Sequence, residues 1–180
     1  MQLKKNLLTA TLLAIGSLTT VSAMAAGTAN GEFKVKIKID SACNVNAAVG
    51  AQDIDFGSVT AGAAGPANKT SATALSVQCS KGAAYVIKLT PSNANASGAG
   101  IMIHTSTPSD TIAYQLNSET ASAKAWGDTG VLGGSLGNSV GGIGTGMSKT
   151  ISHAVYATVT GSTDVAVGDY TDTVQVKVTY

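Results

Sequence analysis

The sequence contains no arginine, and only 12% of its residues are charged. Nucleic-acid-binding proteins depend on basic stripes in which arginine is usually prominent. Gly, Ala, Ser, Thr and Val dominate instead, which is typical of an exported β-protein. The composition therefore argues against nucleic acid as a partner.

The most apolar segment is too short to cross a membrane. It lies within residues 1–25, where Lys4 and Lys5 precede "LLTATLLAIGSLTTV". A membrane-spanning helix needs about 20 apolar residues, and this core is shorter and interrupted by Gly, Ser and Thr. Residues 1–25 are predicted to be a secretory signal peptide, cleaved between Ala25 and Ala26. The remaining chain is long enough for one domain with one core.

The sequence has only two cysteines, Cys43 and Cys79. In the oxidising compartment that a signal peptide implies, a lone pair is expected to form a disulfide. Closing this loop would stabilise the fold by roughly 3–4 kcal/mol on the chain-entropy model. A metal site or a catalytic thiol is the alternative, but His104 and His153 lie far away in sequence. No metal ion and no cofactor is predicted.

A sustained helical period is absent after residue 25. Hydrophobic residues instead alternate with a two-residue period in short segments separated by Gly-, Pro- and Asn-rich turns. This pattern predicts an all-β sandwich or barrel. The predicted strands are "QDIDFGSV", "TALSVQCS", "AYVIKLT", "IMIHT", "TIAYQL", "KTISHAVYATV" and "YTDTVQVKVTY".

No group of residues forms a catalytic motif. The sequence lacks a G-x-S-x-G elbow and a phosphate-binding G-x-x-x-x-G-K-[ST] loop, and the Gly-rich residues 127–146 are predicted to form a long surface loop. Asp53 and Asp55 are predicted to be solvated surface acids, and His153 a core or rim histidine. Trp126 is predicted to lie in the core or anchor a loop, with ligand stacking as the alternative. We predict that the protein is not an enzyme.

The N-terminal residues 31–40, "GEFKVKIKID", alternate strictly between apolar and polar side chains. Such a pattern predicts a strand with one buried face. Lys34, Lys36 and Lys38 fall on the opposite, polar face. The apolar face consists of Phe33, Val35, Ile37 and Ile39.

The last predicted strand ends at the final residue, where an immunoglobulin-like sandwich normally continues with a further strand. One apolar face of this strand consists of Val174, Val176, Val178 and Tyr180. We expect the first strand of one molecule to occupy the place of a missing strand in another, which is the mode called β-strand addition.

Several motifs together resemble the spore coat protein U domain. They are "SACNV", "DIDFG", "LSVQCSKGAAYVIKL", "AWGD" and "VGDYTDTVQVKVTY". The most specific are the paired-cysteine context and the ending G-x-Y-x-D-x-V-x-V-x-V at residues 168–178. The family's usual "WGDG" is "WGDT" here, and a longer Gly-rich insertion follows it.

That family forms the subunits of archaic, Csu-type chaperone–usher pili. The resemblance implies an incomplete immunoglobulin-like β-sandwich that lacks its last strand and is completed by donor-strand exchange. It implies a donor segment in residues 26–39, with Phe33, Val35, Ile37 and Ile39 as plugs, and a domain in residues 40–180. The implied acceptor groove is flanked by the last strand, with Val174, Val176, Val178 and Tyr180.

The resemblance therefore predicts a structural subunit of a surface pilus that supports adhesion and biofilm formation. Its implied partners are copies of itself or sister subunits, a periplasmic chaperone and an outer-membrane usher. Export to the periplasm and then to the cell surface would follow. A secreted coat or matrix protein is one alternative, and a carbohydrate-binding module that uses Trp126 is another.

Overall fold

The computed structural model describes residues 26–71, 73–120 and 124–180. The predicted signal peptide, including Ala25 of its cleavage site, lies outside these residues. The chain divides into two units between Lys38 and Ile39. In the first unit, the described residues 26–38 contain no strand and are exposed. The second unit contains all the strands described below.

Eleven antiparallel strands and no helix are found in the described part of the chain. They form a three-stranded sheet in the order β1-β3-β8, a five-stranded sheet β10-β5-β6-β9-β2, and a three-stranded sheet β11-β4-β7. The strands are β1 (Cys43–Asn46), β2 (Lys69–Thr70), β3 (Leu75–Cys79), β4 (Ala84–Pro91), β5 (Ala99–His104), β6 (Thr111–Asn117), β7 (Val140–Ile143), β8 (Ile151–His153), β9 (Tyr156–Val159), β10 (Tyr170–Thr171) and β11 (Val174–Thr179).

One hydrophobic core lies between the five-stranded sheet and the two smaller sheets. Strands β3 and β4, from the two smaller sheets, and β6 and β9, from the larger one, all contribute to it. Burial of each large apolar side chain contributes roughly 1.5–3 kcal/mol. The predicted all-β sandwich is confirmed. The buried core residues are Leu75, Val77, Cys79, Tyr85, Ile87, Leu89, Tyr114, Leu116, Trp126 and Ala157.

The segment "KTISHAVYATV" forms two strands rather than the single predicted one. Strand β8 pairs with β3 and strand β9 pairs with β6, so the chain passes from one layer of the sandwich to the other at Ala154 and Val155. Alternation continues through the crossing because both halves direct apolar side chains into the same core. The sequence pattern predicts this burial, but it does not predict that the chain changes its strand partner.

The strand predicted around Ile54 and Phe56 is absent. Both side chains are half-buried and pack against the core, as an alternating pattern requires, but the backbone joins no sheet. The Asp55 carboxylate instead accepts a hydrogen bond from the Gly57 backbone N–H at 2.7 Å, which forms a local turn. Asp53 and Asp55 are exposed, as predicted.

The prediction of a surface loop across residues 127–146 is wrong in part, because Val140–Ile143 form strand β7. The strand pairs with β4, where Gly142 lies opposite Tyr85. A Cβ atom on Gly142 would lie 2.7 Å from the Tyr85 hydroxyl oxygen, and one on Gly141 would lie 2.6 Å from the Tyr85 carbonyl oxygen. Glycine is thus required for the tyrosine ring to lie over the strand, so here a Gly-rich sequence forms a strand.

The predicted disulfide between Cys43 and Cys79 is present in the structure. The two residues are direct partners in the β1–β3 ladder, with their Cα atoms 4.1 Å apart. Strand β1 has no other strand neighbour among the described residues. The disulfide therefore fixes both the position and the register of an edge strand.

His153 lies in an aromatic cluster at the edge of the core. Its Nε2 atom is 3.0 Å from the Tyr85 hydroxyl, and its ring lies edge-on to the rings of Tyr85 and Trp126. This agrees with the prediction of a core or rim histidine. Burial lowers the pKa of His153, because a charged imidazolium is poorly solvated there.

We expect the chain to become less stable as the pH is lowered, because of His153. In the unfolded chain the ring takes up a proton near pH 6.5, whereas in the folded chain its pKa is lower. The unfolded state therefore binds more protons as the pH drops below about 6.5, and folding stability decreases there. The melting temperature of the chain and of His153→Gln should be measured from neutral pH to pH 5. The variant should lose less stability over that range, and an equal loss would contradict the assignment.

Candidate functional site

Strand β11 has one paired edge and one unpaired edge. Among the described strands it pairs only with β4, over all six of its residues. Exposed edge strands are usually kept very short because their unpaired backbone groups recruit other strands. The other edge strands here have two to four residues. Strand β11 is therefore the longest open edge in the described sheets.

Strand β1 forms a second open edge. It pairs with β3 alone, and it also borders the core, since Cys43 packs against the buried residues. Like β11, it is the outermost strand of a three-stranded sheet. The two smaller sheets thus each present a free edge beside the same core.

Apolar side chains along these edges are only partly covered. The inner face of β11 packs against the core through Val174, Val176 and Val178, yet all three remain half-buried. Tyr180 follows the strand and is 48% exposed. Buried apolar residues at the centre of the core are at most 5% exposed. The apolar face of β11 is therefore less covered than the centre of the core.

The motif G-x-Y-x-D at residues 168–172 holds the chain that leads into β11. His104, at the end of β5, accepts backbone hydrogen bonds at Nδ1 from Ser106 and Thr107, so its Nε2–H is free to donate to the Val167 carbonyl at 3.2 Å. A Cβ atom on Gly168 would lie 2.1 Å from that Nε2. Only glycine fits here.

Tyr170 and Asp172 of the motif contact residues of the five-stranded sheet. The Tyr170 ring lies edge-on to His104, with centroids 5.0 Å apart, and its hydroxyl donates to the Ala166 carbonyl at 2.7 Å. The Asp172 carboxylate accepts a 2.6 Å hydrogen bond from the Tyr114 hydroxyl on β6. Burial, followed by this contact with Asp172, raises the pKa of Tyr114. The motif thus ties the start of β11 to the opposite sheet.

The "AWGD" tetrapeptide is an internal anchor. The Trp126 indole is fully buried, and its N–H donates to the Ile87 carbonyl on β4 at 3.0 Å. A Cβ atom on Gly127 would lie 2.0 Å from the Ala96 carbonyl oxygen. Asp128 accepts a hydrogen bond from the Thr90 hydroxyl at 3.1 Å. A buried indole of this kind is unable to stack on a sugar ring, so the ligand-stacking alternative for Trp126 is excluded.

The N-terminal segment exposes its whole apolar face. Neither a strand nor a sheet partner is found there within the described residues 26–42, so the strand predicted in residues 31–40 is not formed in the single chain. A strand needs a neighbour to accept its backbone hydrogen bonds. The exposed fractions are 86% for Phe33, 87% for Val35, 84% for Ile37 and 77% for Ile39.

No group of three or more His, Cys, Asp or Glu side chains in the described ranges could hold a metal ion. Nor does that part of the chain contain a helix long and apolar enough to span a membrane. The open edges and the exposed apolar segment are the features that point to function.

The Spore Coat Protein U domain family model matches residues 29–177 of the chain. The chain belongs to this family. The match includes the exposed N-terminal segment and most of β11. It confirms the membership that the quoted motifs predict.

Comparison with individual proteins adds a structural likeness. A search of curated protein sequences finds no match. One similar solved structure is described as the crystal structure of a CsuC–CsuE chaperone–tip adhesion subunit pre-assembly complex from archaic chaperone–usher Csu pili of Acinetobacter baumannii. The sequence identity is 18% and the TM-score 0.47, with 79% of this chain and 40% of that chain covered. The chain therefore spans less than half the length of that protein.

Sequence reasoning missed part of the candidate site. It named β11 but did not name β1 as a second open edge, although "SACNV" carries an alternating Cys43 and Val45. It also missed the bond between Tyr114 and Asp172, whose partners are 58 residues apart. Such pairs follow from tertiary contacts, and the local pattern around each residue carries no signal for them.

We expect Tyr114→Phe to loosen the start of β11. The change removes a hydrogen bond to a charged carboxylate and leaves Asp172 without that donor, which costs about 1.5–3 kcal/mol. The free energy of unfolding in urea should fall by that amount. Asp172→Asn is the matched control, because its amide oxygen still accepts the bond and the loss should be smaller. Unchanged stability in Tyr114→Phe would show that the bond does not hold the strand.

Proposed function

We propose that this protein is a structural pilus subunit that polymerises by donor-strand exchange. Residues 26–39 of one molecule supply the donor, and the free edges of β11 and β1 in another molecule accept it. The protein has no catalytic role in this proposal. The observation that carries it is the pairing of two features in one chain, an exposed apolar alternating segment and a long open strand beside a half-covered core.

The sheet arrangement supports an inserted strand. The orders β8-β3-β1 and β11-β4-β7 each end at an open edge that borders the core. A strand that paired with both β1 and β11 would join two three-stranded sheets into one continuous layer. That layer would then face the five-stranded sheet, which gives the two-layer packing that domains favour.

The apolar side chains of the donor supply the main driving force for the proposed association. Phe33, Val35, Ile37 and Ile39 are exposed in the single chain. Four such side chains contribute on the order of 6–12 kcal/mol when buried, before the cost of ordering the segment. The donor's alternate positions would also cover the half-buried valines of β11. Backbone hydrogen bonds to two neighbouring strands add to this gain.

The contact leads to a fibre because the donor and acceptor are different surfaces. Head-to-tail contacts that do not close on themselves generate filaments. The opposite face of the donor carries Lys34, Lys36 and Lys38, which keep an unpaired strand soluble and disfavour wrong registers. The acceptor's own outward face carries Lys177.

Such a subunit also needs a route to the cell surface. An apolar strand and an open edge need protection before assembly, so a periplasmic chaperone would hold the subunit and an outer-membrane usher would assemble it. The predicted signal peptide in residues 1–25 supplies the export step. Adhesion and biofilm formation are the expected roles of the resulting fimbria. Copies of this chain or sister subunits would be the neighbours in the fibre.

Ile37→Asp is expected to abolish polymerisation while leaving the domain folded. The new carboxylate would have to be buried in the groove without a partner, and that burial is costly. Subunits co-expressed with their chaperone and usher should be analysed on unboiled denaturing gels for ladders of fibres. The matched control is Lys36→Asp, which places the same side chain on the outward face and should still give a ladder. A wild-type ladder from Ile37→Asp would contradict the proposal.

A subunit that carries its own donor beside the groove should no longer need a neighbour. Moving the donor segment to the C-terminus through a short linker should fill the groove of the same molecule and give a stable monomer. Size-exclusion chromatography and thermal unfolding would measure this. The same fusion with Ile37→Asp is the control and should remain unstable. A fusion that still aggregates would show that the groove is filled in another way.

A further inference from the structure

Two lysines face each other directly on the outer surface of the β11–β4 sheet. Lys177 and Lys88 are Cα partners in this ladder. Their sequence neighbours, Val176, Val178 and Leu89, pack towards the core, so both lysine side chains point outwards. Cβ atoms of directly opposed residues lie roughly 4.5–5.5 Å apart. The two ammonium groups thus share one small patch of surface.

This pair has no compensating charge of its own. Neither lysine forms an ion pair with any residue in the described ranges. Like charges directly opposite each other in a sheet are destabilising. The Asp128 carboxylate accepts a hydrogen bond from Thr90, whose position on β4 is about 7 Å from that of Lys88. The patch therefore keeps a positive potential in the single subunit.

Donor-strand exchange would enlarge this patch, and this step rests on the proposed function. The donor would lie beside β11 with its apolar face inwards, so Lys34 and Lys36 would point outwards next to Lys177. Neighbouring strands lie about 4.8 Å apart, and alternate residues of a strand about 7 Å apart. Four ammonium groups from three adjacent strands would then lie on one outward surface. The acids Glu32 and Asp40 would lie at the two ends of this row.

We infer that each joint between subunits forms a binding surface for a carboxylate-bearing polysaccharide. The surface consists of Lys34 and Lys36 of the donor with Lys88 and Lys177 of the acceptor. A fibre would repeat it once per joint, so that a long anionic chain binds many joints at once. Such repetition raises the overall affinity far above that of one joint.

The chemistry of the patch favours a polyuronate over a nucleic acid. Recognition of phosphate by paired hydrogen bonds depends on arginine, which the sequence lacks. Single-stranded nucleic acids also need aromatic side chains on which bases stack, and the alternate outward positions of β4 and β11 carry none. Lysines are compact point charges on flexible stems. They suit closely spaced carboxylates on a flexible sugar chain.

The test uses assembled fibres and fluorescently labelled alginate, which is a polyuronate. Fibres should first be confirmed by gel ladders, and binding then measured by anisotropy at low and at physiological salt. Lys88→Gln/Lys177→Gln should weaken alginate binding about tenfold and flatten its salt dependence. Fibres should still form, because neither side chain touches the apolar groove. Unassembled subunits should bind alginate more weakly than the same mass of fibre.

The matched control removes the same charge elsewhere. Lys69 and Lys149 are exposed and lie outside the β4–β11 surface, so Lys69→Gln/Lys149→Gln should leave alginate binding nearly unchanged. Equal losses in both double variants would show a non-specific charge effect and overturn the inference. If fibres form but bind alginate no better than neutral dextran, the inference is overturned while the proposed function stands. Tighter binding of duplex DNA than of alginate would also overturn the inference. Failure of the wild-type chain to form fibres would overturn the proposed function instead.

Discussion

The open edge of β11 is the constraint on which the structure depends. This six-residue strand packs its inner face on the core, but the backbone groups of only one of its edges are paired with another strand. Its backbone groups on the other side need either water or another strand. Because the valines on its inner face stay partly exposed, water alone leaves apolar surface uncovered as well. An added strand satisfies both needs at once, which is why the remaining features of the chain are consistent with one function.

The rest of the domain holds that edge in place. Tyr114 and Asp172 tie the start of β11 to β6, and His104 fixes the turn before it through Val167 and Gly168. On the other side, the disulfide holds β1 to β3. Both edges are thus anchored from the side opposite to the one that is open. A preformed acceptor loses less conformational entropy on binding than a mobile one.

Alternation in the sequence was sufficient to locate most of the strands and the core. It failed at Ile54 and Phe56, whose side chains are half-buried against the core although their backbone joins no sheet. It also failed at β7, because glycines predict flexibility unless one knows that Tyr85 lies over them. For the site, the exposed face of Phe33 to Ile39 was readable from its pattern. That β1 and β11 both end a sheet beside the core was not readable from the pattern, since sheet order depends on contacts between residues far apart in sequence.

The disulfide has a mechanical consequence for any fibre built from this chain. Ala42, immediately before Cys43, exchanges hydrogen bonds with Ser80 at 3.0 and 2.9 Å, so the chain is held beside the end of β3 from that residue onwards. Only Asp40 and Ser41 then separate it from Ile39. Two residues and their flanking bonds span about 10 Å at full extension. In a fibre of the proposed kind, successive subunits would therefore be joined by a very short tether.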